Sequence, residues 1–265
     1  MSTSDLWMRD LFLTYGLTLL CLLIGFYLFA RKWQKLRKHC YRSHLIGFET
    51  ECAELALPYK EKLFKHLQTY ESSDLTLRSL KCIRLLEIGV KTGENIQFYP
   101  EGTRLLVVDW NLKLKEYLQS ESRAWQFSHV QIEHVIHGDG SSLKDVPTGF
   151  VDVVVSTRSL CSVKSINATL REIRRILAPG GQYIFMEHVV DKESMFVRWL
   201  QQFLSYTNIW PSLYGDCRLD LDIAKEIEKV GFTKVQLTPI TLMGQASNSL
   251  HLFLSKYHII GTANR

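Results

Sequence analysis

Residues 85–93, Leu-Leu-Glu-Ile-Gly-Val-Lys-Thr-Gly, constrain the fold of this chain more than any other segment. The apolar run 83–86, interrupted only by Arg84, leads into them and predicts a buried strand. An acidic residue follows, then a loop with Gly89 and Gly93, and then residues that can start a helix. Because backbone N–H groups at a helix N-terminus hold polar or anionic ligands, the sequence predicts a strand–loop–helix unit that binds a ligand.

A second carboxylate, Asp109, closes the next apolar run, residues 105–108. A carboxylate at the end of the neighbouring strand can accept hydrogen bonds from ribose hydroxyls, so the two motifs together indicate a nucleoside-containing cofactor. The alternative is that Asp109 caps a helical segment that starts at Asn111.

The charge distribution and the cysteines of the chain argue against a nucleic-acid-binding protein and against a fold held by disulfides or a metal. The 265 residues suit one domain with an appendage. Residues 31–42 contain six basic and no acidic side chains, which exceeds the net charge of +5 for the whole chain. The basicity is therefore local, and no nucleic-acid partner is expected. The six cysteines form no CxxC pair, which predicts reduced thiols, no disulfide framework and no metal site.

Residues 11–30 are twenty residues without a charge, long enough to span a bilayer as a helix. A cleaved signal peptide or a shallow monolayer insertion are the alternatives. The basic residues that follow predict a lumenal N-terminus and a cytosolic main domain. We therefore expect a lumenal tip and membrane anchor at 1–30, a basic and amphipathic helical connector at 31–70, and the main domain at 71–265, with membrane lipid as a partner.

From residue 83 onward, short apolar runs alternate with helix-length segments. This pattern predicts an α/β fold with a doubly wound, mostly parallel seven-stranded sheet and an antiparallel C-terminal edge. The predicted strands are 83–88, 105–108, 130–136, 151–156, 182–188, 235–241 and 250–256, with helices at 166–177 and 221–230.

The order of these motifs resembles the class I S-adenosylmethionine-dependent methyltransferases. The resemblance rests on the 86–93 loop, Asp109, Asp139-Gly140, strand 150–155 and Leu-Ala-Pro-Gly-Gly at 177–181. It is closer still to the membrane-anchored methyltransferase-like 7 group, the thiol S-methyltransferases of the endoplasmic reticulum and lipid droplets. That likeness rests on residues 93–100, Leu-Cys-Ser-Val at 160–163, Met-Glu-His-Val at 186–189 and Asp-Cys at 216–217.

The resemblance implies S-adenosylmethionine as the cofactor and a small alkyl thiol as the acceptor, at the endoplasmic reticulum membrane and at lipid droplets. It implies that Glu87, Gly89 and Gly93 line the methionine end of the cofactor and that Asp109 binds its ribose. It further implies that Asp139 and Gly140 lie near the adenine, with Leu160 on the opposite side of the cofactor.

Two positions depart from the family pattern. Lys91 stands where the family has glycine, and Trp110 stands where close relatives have proline. The lysine stem could obstruct the cofactor, or its ammonium could point outward or pair with the cofactor's carboxylate. Trp110 could stack on the adenine. An alternative function follows: a catalytically impaired pseudo-methyltransferase that serves as a membrane or lipid-droplet binding module.

No catalytic dyad is evident, which agrees with a reaction that depends mainly on alignment and water exclusion. His188, at the end of the fifth predicted strand, is the candidate catalytic residue because it could deprotonate or orient a thiol. The alternative is a structural histidine bonded to neighbouring backbone. Cys161 is expected to pack rather than to react.

Overall fold

The computed structural model describes residues 3–118, 120 and 124–265. Its centre is a 7-stranded sheet with the order β3-β2-β1-β4-β5-β7-β6. Strands β1 to β5 are parallel, whereas β7 runs antiparallel to both β5 and β6. The predicted fold class is confirmed. The strands are β1 Arg84–Ile88, β2 Thr103–Asp109, β3 Val130–His137, β4 Val151–Thr157, β5 Leu177–His188, β6 Lys234–Thr241 and β7 Tyr257–Asn264.

Helices lie before the sheet and between its strands. The N-terminal part comprises α1 and α2, joined by the π-helical turn His44–Phe48. The α-helices are α1 Thr3–Ser43, α2 Glu49–Phe64, α3 Leu75–Ser79, α4 Leu114–Leu118, α5 Ile166–Ile176, α6 Met195–Tyr206, α7 Ile209–Leu213, α8 Ile223–Lys229 and α9 Ser249–Ser255.

The prediction of a last strand at 250–256 is wrong, because these residues form α9 and the strand follows it at Tyr257–Asn264. The side chain of Asn248 caps the helix by accepting a hydrogen bond from the His251 backbone N–H at 2.9 Å. Short apolar runs do not distinguish a strand from a buried helix, and here the cap decides for the helix.

The α-helix expected directly after Gly93 is also absent: the described residues there form only the 3₁₀ turn Ile96–Phe98. Pro100 explains the difference, because a proline drives the preceding residue into an extended conformation. Tyr99 accordingly has φ −77° and ψ 145°. The loop after β1 therefore lacks the helix dipole that the motif predicted.

The apolar core covers both faces of the sheet. α5 and α8 pack on one face against the central strands. On the other face, Phe64 and Leu67 at the end of the connector pack against β1 and β2. Phe48 and Cys52 extend this packing towards β5. The connector is thus part of the folded core, which places the start of α2 beside the carboxyl ends of the strands.

Within α1 the span Leu13–Tyr41 is long and apolar enough to cross a membrane by length and composition alone, and its basic residues lie at its C-terminal end. A signal sequence near an N-terminus has the same length and composition. Met1 and Ser2 of the predicted lumenal tip lie outside the described residues. The far end of α1 reaches the domain, where Arg37 Nε donates to the Ser212 carbonyl at 2.9 Å.

Candidate active site

A cavity opens at the carboxyl ends of β1, β2 and β4. Ligands of open α/β sheets bind at this edge, where the strand order reverses between β1 and β4. Its lining comprises Tyr41, His44, Glu49, Ile88, Gly89, Lys91, Asp109, Trp110, Gly138, Asp139, Arg158, Ser159, Cys161, Ser162, Val163, Tyr214, Gly215 and Cys217.

Gly89 begins the loop that follows β1, and its backbone requires glycine. Its φ is +72°, and a Cβ there would lie 2.2 Å from Ser159 Oγ. Two residues on, the Lys91 backbone N–H donates to Asp109 Oδ2 at 3.0 Å. We call Gly89, Lys91 and Asp109 the glycine wall of the cavity.

Lys91 adopts φ +53°, a left-handed conformation that costs a non-glycine residue about 1 kcal/mol or more. Its ammonium turns towards α2, donating to Glu49 Oε2 at 2.7 Å and to the Arg158 carbonyl at 3.1 Å. Neither an outward orientation nor a free ammonium is therefore observed. The long side chain is held along the edge of the cavity by a partner from the connector.

Glu49 is the centre of a buried charge cluster, the Glu49 cluster, which also includes Lys91, Arg158 and His44. Arg158 Nε lies 3.3 Å and His44 Nε2 lies 3.2 Å from Glu49 Oε1. Burial opposes the ionised form of Glu49, but Lys91 and Arg158 outweigh it and hold its pKa well below the usual range. One carboxylate thus faces the buried guanidinium of Arg158 and the half-buried ammonium of Lys91, and its removal would leave both uncompensated.

Asp109 lies where the sequence predicts it, at the end of β2 and in the lining of the cavity. Its Oδ1 accepts from the Asn111 backbone N–H at 2.8 Å, so it also shapes the following turn. Each carboxylate oxygen retains capacity to accept a further hydrogen bond. Trp110 is 56% exposed on the rim, with Lys164 Nζ 4.9 Å from its ring centroid.

Asp139 also lines the cavity. Its carboxylate accepts from the Ser141 hydroxyl at 2.6 Å and from the Lys164 backbone N–H at 2.8 Å. Burial acts against its ionised form, but these hydrogen bonds prevail and hold the pKa of Asp139 below its usual range. Gly140 has φ +79°, and its missing side chain leaves room for Ile88, so this glycine faces the core.

Two more residues that the resemblance placed at the cofactor, Gly93 and Leu160, lie outside the cavity lining. Gly93 faces the core, where a Cβ would contact Phe127 at 3.0 Å. Leu160 is fully buried among the residues of the central core.

Glu87 lies beneath the loop, where Tyr99 Oη and Asn95 Nδ2 each donate to its carboxyl group at 2.7 Å. Burial raises the pKa of Glu87 to about 7. The structure thus gives this carboxyl group a role in holding the turn that supports the glycine wall.

Cys161 and Cys217 line the same cavity with His188 buried behind them, and we call these three residues the thiol wall. Cys217 Sγ lies 3.3 Å from His188 Nε2. The Cys217 thiol, followed by the His188 ring, stabilises the thiolate and holds the pKa of Cys161 well below its usual range. The structure brings His188 and Cys161 together, although the sequence analysis assigned Cys161 to packing.

Glu187, next to His188, positions this wall. Its Oε2 accepts from the Ser159 backbone N–H at 2.9 Å and from that of Leu160 at 3.2 Å. Burial raises the pKa of Glu187 to about 8. These contacts hold the turn after β4 against the end of β5.

Sequence reasoning missed the lining residues that come from outside the methyltransferase-like motifs. They are Tyr41, His44, Glu49, Arg158 and Tyr214. Cys217 belongs to the motif at 216–217, but no role in the site was predicted for it. Arg158 could have been found because it directly follows β4. Glu49 and His44 carry no local signal, since only the docking of α2 brings them to the sheet.

The cavity fits an S-adenosyl ligand. The backbone at Gly89 lies against the cavity without a side chain, and a carboxylate with spare acceptor capacity stands beside it at Asp109. These are features that a nucleoside with a charged amino-acid end requires. S-adenosylmethionine supplies an electrophilic methyl group when bound.

The fold and this site define a class. Residues 86–185 match the family model described as "Methyltransferase domain". Geranyl diphosphate methyltransferase, solved in complex with S-adenosylmethionine, shares the fold at a TM-score of 0.54, with 14% identity, 78% of this chain and 84% of that chain covered. The chain is an S-adenosylmethionine-dependent methyltransferase.

Curated relatives narrow the class to a family. Human thiol S-methyltransferase TMT1A is 34% identical over 215 residues, which cover 80% of this chain and 83% of that protein. Human thiol S-methyltransferase TMT1B is 34% identical over 206 residues, covering 77% and 80% respectively. The chain belongs to the thiol S-methyltransferase family, as the sequence motifs predicted.

Proposed function

We propose that this methyltransferase transfers its methyl group to small, apolar thiols. The observation that carries the proposal is that the glycine wall and the cysteines of the thiol wall line one cavity. The names of the curated relatives support the same acceptor class. Thiols are soft nucleophiles that need alignment more than strong base assistance, and a few per cent of an ordinary thiol is already ionised at pH 7.

On this proposal Gly89, Lys91 and Gly93 form the cofactor loop, with Glu87 as its support, and Asp109 accepts hydrogen bonds from the ribose. Asp139, Gly140, Trp110 and Leu160 shape the adenine side. The Glu49 cluster keeps the Lys91 ammonium about 2.7 Å from a carboxylate, which supports cofactor binding despite the missing glycine. Nothing in the comparisons supports the alternative, a catalytically impaired binding module.

His188 is proposed to receive the proton of the acceptor thiol or to orient its sulfur. The structure gives the imidazole a thiol partner through Nε2, and its Nδ1 has no hydrogen-bond partner among the described residues. A histidine fixed by backbone contacts would show such a partner.

The acceptor class is tested with the full-length chain in detergent, S-adenosylmethionine and a matched set of an alkyl thiol, alcohol and amine of equal length. Formation of the methyl thioether, with no methyl ether and no methylamine, is the expected result. Preferred methylation of the alcohol or amine would refute the thiol assignment. The His188→Gln variant should lower kcat most at pH values where the acceptor thiol is not ionised and still needs a proton acceptor, without weakening cofactor binding.

We further propose that α1 anchors the enzyme in the endoplasmic reticulum membrane and in lipid droplets, with the catalytic domain in the cytosol. The span Leu13–Tyr41, with an exposed apolar first part and basic residues at its C-terminal end, supports this arrangement. The aromatic face of α6, with Phe196 and Trp199 exposed, precedes the helix that contacts Arg37 at the end of α1. An apolar acceptor could then enter from the membrane.

Topology is tested by adding protease to sealed microsomes that contain the protein. Digestion of the domain without detergent is expected, because the domain faces the cytosol. Protection that lasts until detergent is added would place the domain in the lumen instead.

A further inference from the structure

We propose that Cys161, Cys217 and His188 form a binding site for a soft divalent cation of the Zn²⁺ type, with one coordination position open to the cavity. The three residues come from the 3₁₀ turn Leu160–Ser162, the loop after α7 and the end of β5. All three are buried, and their ligand atoms lie within 4.8 Å of one another.

The spacing suits a tetrahedral ion. With Zn–S bonds of about 2.3 Å and Zn–N bonds of about 2.0–2.1 Å, tetrahedral ligand atoms lie roughly 3.5–3.8 Å apart. The observed separation between Cys217 Sγ and His188 Nε2 is 3.3 Å. Shifts of about an ångström in rotatable side chains would therefore complete the geometry.

The ligand types also favour such an ion. Thiolate and imidazole are the ligands that zinc prefers, and two cysteines with one histidine form a known three-ligand set for zinc sites that keep a fourth position open. An ion bound by two thiolates adds no net charge to this region. This neutrality matters because the two positive charges of Lys91 and Arg158 already exceed the one negative charge of Glu49.

Ordinary structural roles do not account for the three residues. Both cysteines are free thiols. The imidazole of His188 is 1% exposed, and within the described part of the chain its Nδ1 lacks a hydrogen-bond partner. Apolar side chains would cost less desolvation free energy at this position, since the thiols are surrounded by Val197, Trp210 and other buried apolar side chains.

The open position connects this site to the proposed function, on which this step rests. Cys161 and Cys217 line the same cavity as Gly89 and Asp109. With His188 as a ligand, its role is to orient the acceptor sulfur, because an acceptor thiol that occupies the fourth position binds as a thiolate and releases its proton to water. Selection of sulfur over oxygen or nitrogen then follows from the softness of the ion.

The test uses full-length protein in detergent, treated with a chelator and titrated with Zn²⁺, and separately with Co²⁺ as a spectroscopic probe. We expect one Zn²⁺ per chain. Because even loss of a supporting residue costs a metal site about 10–100-fold in affinity, Cys161→Ser and Cys217→Ser should each weaken Zn²⁺ binding by about 100-fold or more. Cys82→Ser is the matched control, since Cys82 lies before β1 with its thiol on the Leu80 carbonyl.

Thiolate-to-cobalt charge-transfer absorption is expected in the wild type and should shift when an alkyl thiol is added. Wild-type affinity for Zn²⁺ equal to that of the Cys161→Ser/Cys217→Ser double variant would overturn the site. A cobalt spectrum that does not change when the alkyl thiol is added would overturn the open coordination position. Unchanged circular dichroism shows that each variant is folded.

The same samples separate the two proposals. Full thiol methylation by protein shown to be free of metal would refute the role of the cation and leave the proposed function standing. Zn²⁺ bound at Cys161 and Cys217 in a protein that methylates no thiol would leave the metal site standing and refute the function.

Discussion

The two walls of the cavity differ in how the chain builds them. The glycine wall comes from the ends of the neighbouring strands β1 and β2. In its key contact the Lys91 backbone N–H donates to the Asp109 carboxylate. The thiol wall joins Cys161, His188 and Cys217, which are brought together only by the tertiary fold. A wall built from local motifs is visible in a sequence, whereas a wall assembled from distant segments is visible only in the structure.

The largest expected effect lies at the Glu49 cluster, which fixes the edge of the glycine wall. The Glu49→Gln change leaves Lys91 and Arg158 without a buried carboxylate, so we expect a loss of about 3–5 kcal/mol in unfolding free energy. Urea denaturation measures it. Glu54→Gln, an exposed carboxylate on the same helix, is the control and should change stability by less than about 0.5 kcal/mol. Equal stability of the two variants would contradict the importance of the cluster.

A smaller effect is expected from Asp109→Asn within the glycine wall. Loss of charge-assisted hydrogen bonds to the ribose and to the Lys91 N–H should weaken S-adenosylmethionine binding by about 1.5–3 kcal/mol, or roughly 10–100-fold. Calorimetric titration measures the change. Asp145→Asn, outside the cavity lining, serves as the control. Unchanged affinity in the Asp109 variant would remove this residue from the cofactor site.

The buried glutamates Glu87, which supports the glycine wall, and Glu187, which positions the thiol wall, allow the pH dependence of stability at the two walls to be compared. The folded-state pKa values, about 8 for Glu187 and about 7 for Glu87, lie above the ordinary 4.5. The folded protein therefore holds protons that the unfolded chain releases, and stability falls as pH rises from about 5 to 8. The slope is at most about 1.4 kcal/mol per pH unit for each group.

Glu187→Gln should flatten this slope up to pH 8, whereas Glu87→Gln should flatten it only up to about pH 7. Urea denaturation between pH 5 and 8 distinguishes the two variants. Identical slopes in the wild type and the Glu187 variant would show that the thiol-wall carboxyl group is ionised throughout.

Much of the fold follows from the sequence because parallel strands buried on both faces are rich in apolar residues, such as the four valines of Val151–Thr157. The sequence failed at α9, where an apolar run was ambiguous and a cap at Asn248 decided its conformation. It also failed after Gly93, where Pro100 stops any helix. In both cases a single residue decides the local conformation, and the spacing of apolar residues does not reveal its effect.

Within the site, local motifs identified Gly89, Asp109 and Asp139, which line the cavity. They could not reveal the partner of Lys91, because Glu49 lies 42 residues earlier on a helix whose position depends on core packing. Nor could they join Cys217 to His188, since the pairing requires the loop after α7 to close over the sheet. Long-range partners of this kind have no sequence signature.

Titration of S-adenosylmethionine into the full-length wild-type protein and into Lys91→Gly tests the central claim most directly. The ion pair with Glu49 holds the lysine at the edge of the cavity, so we expect one cofactor per chain in both proteins, with affinities within about tenfold. Absence of binding to the wild type, together with binding to Lys91→Gly, would contradict the account and show that the lysine closes the site.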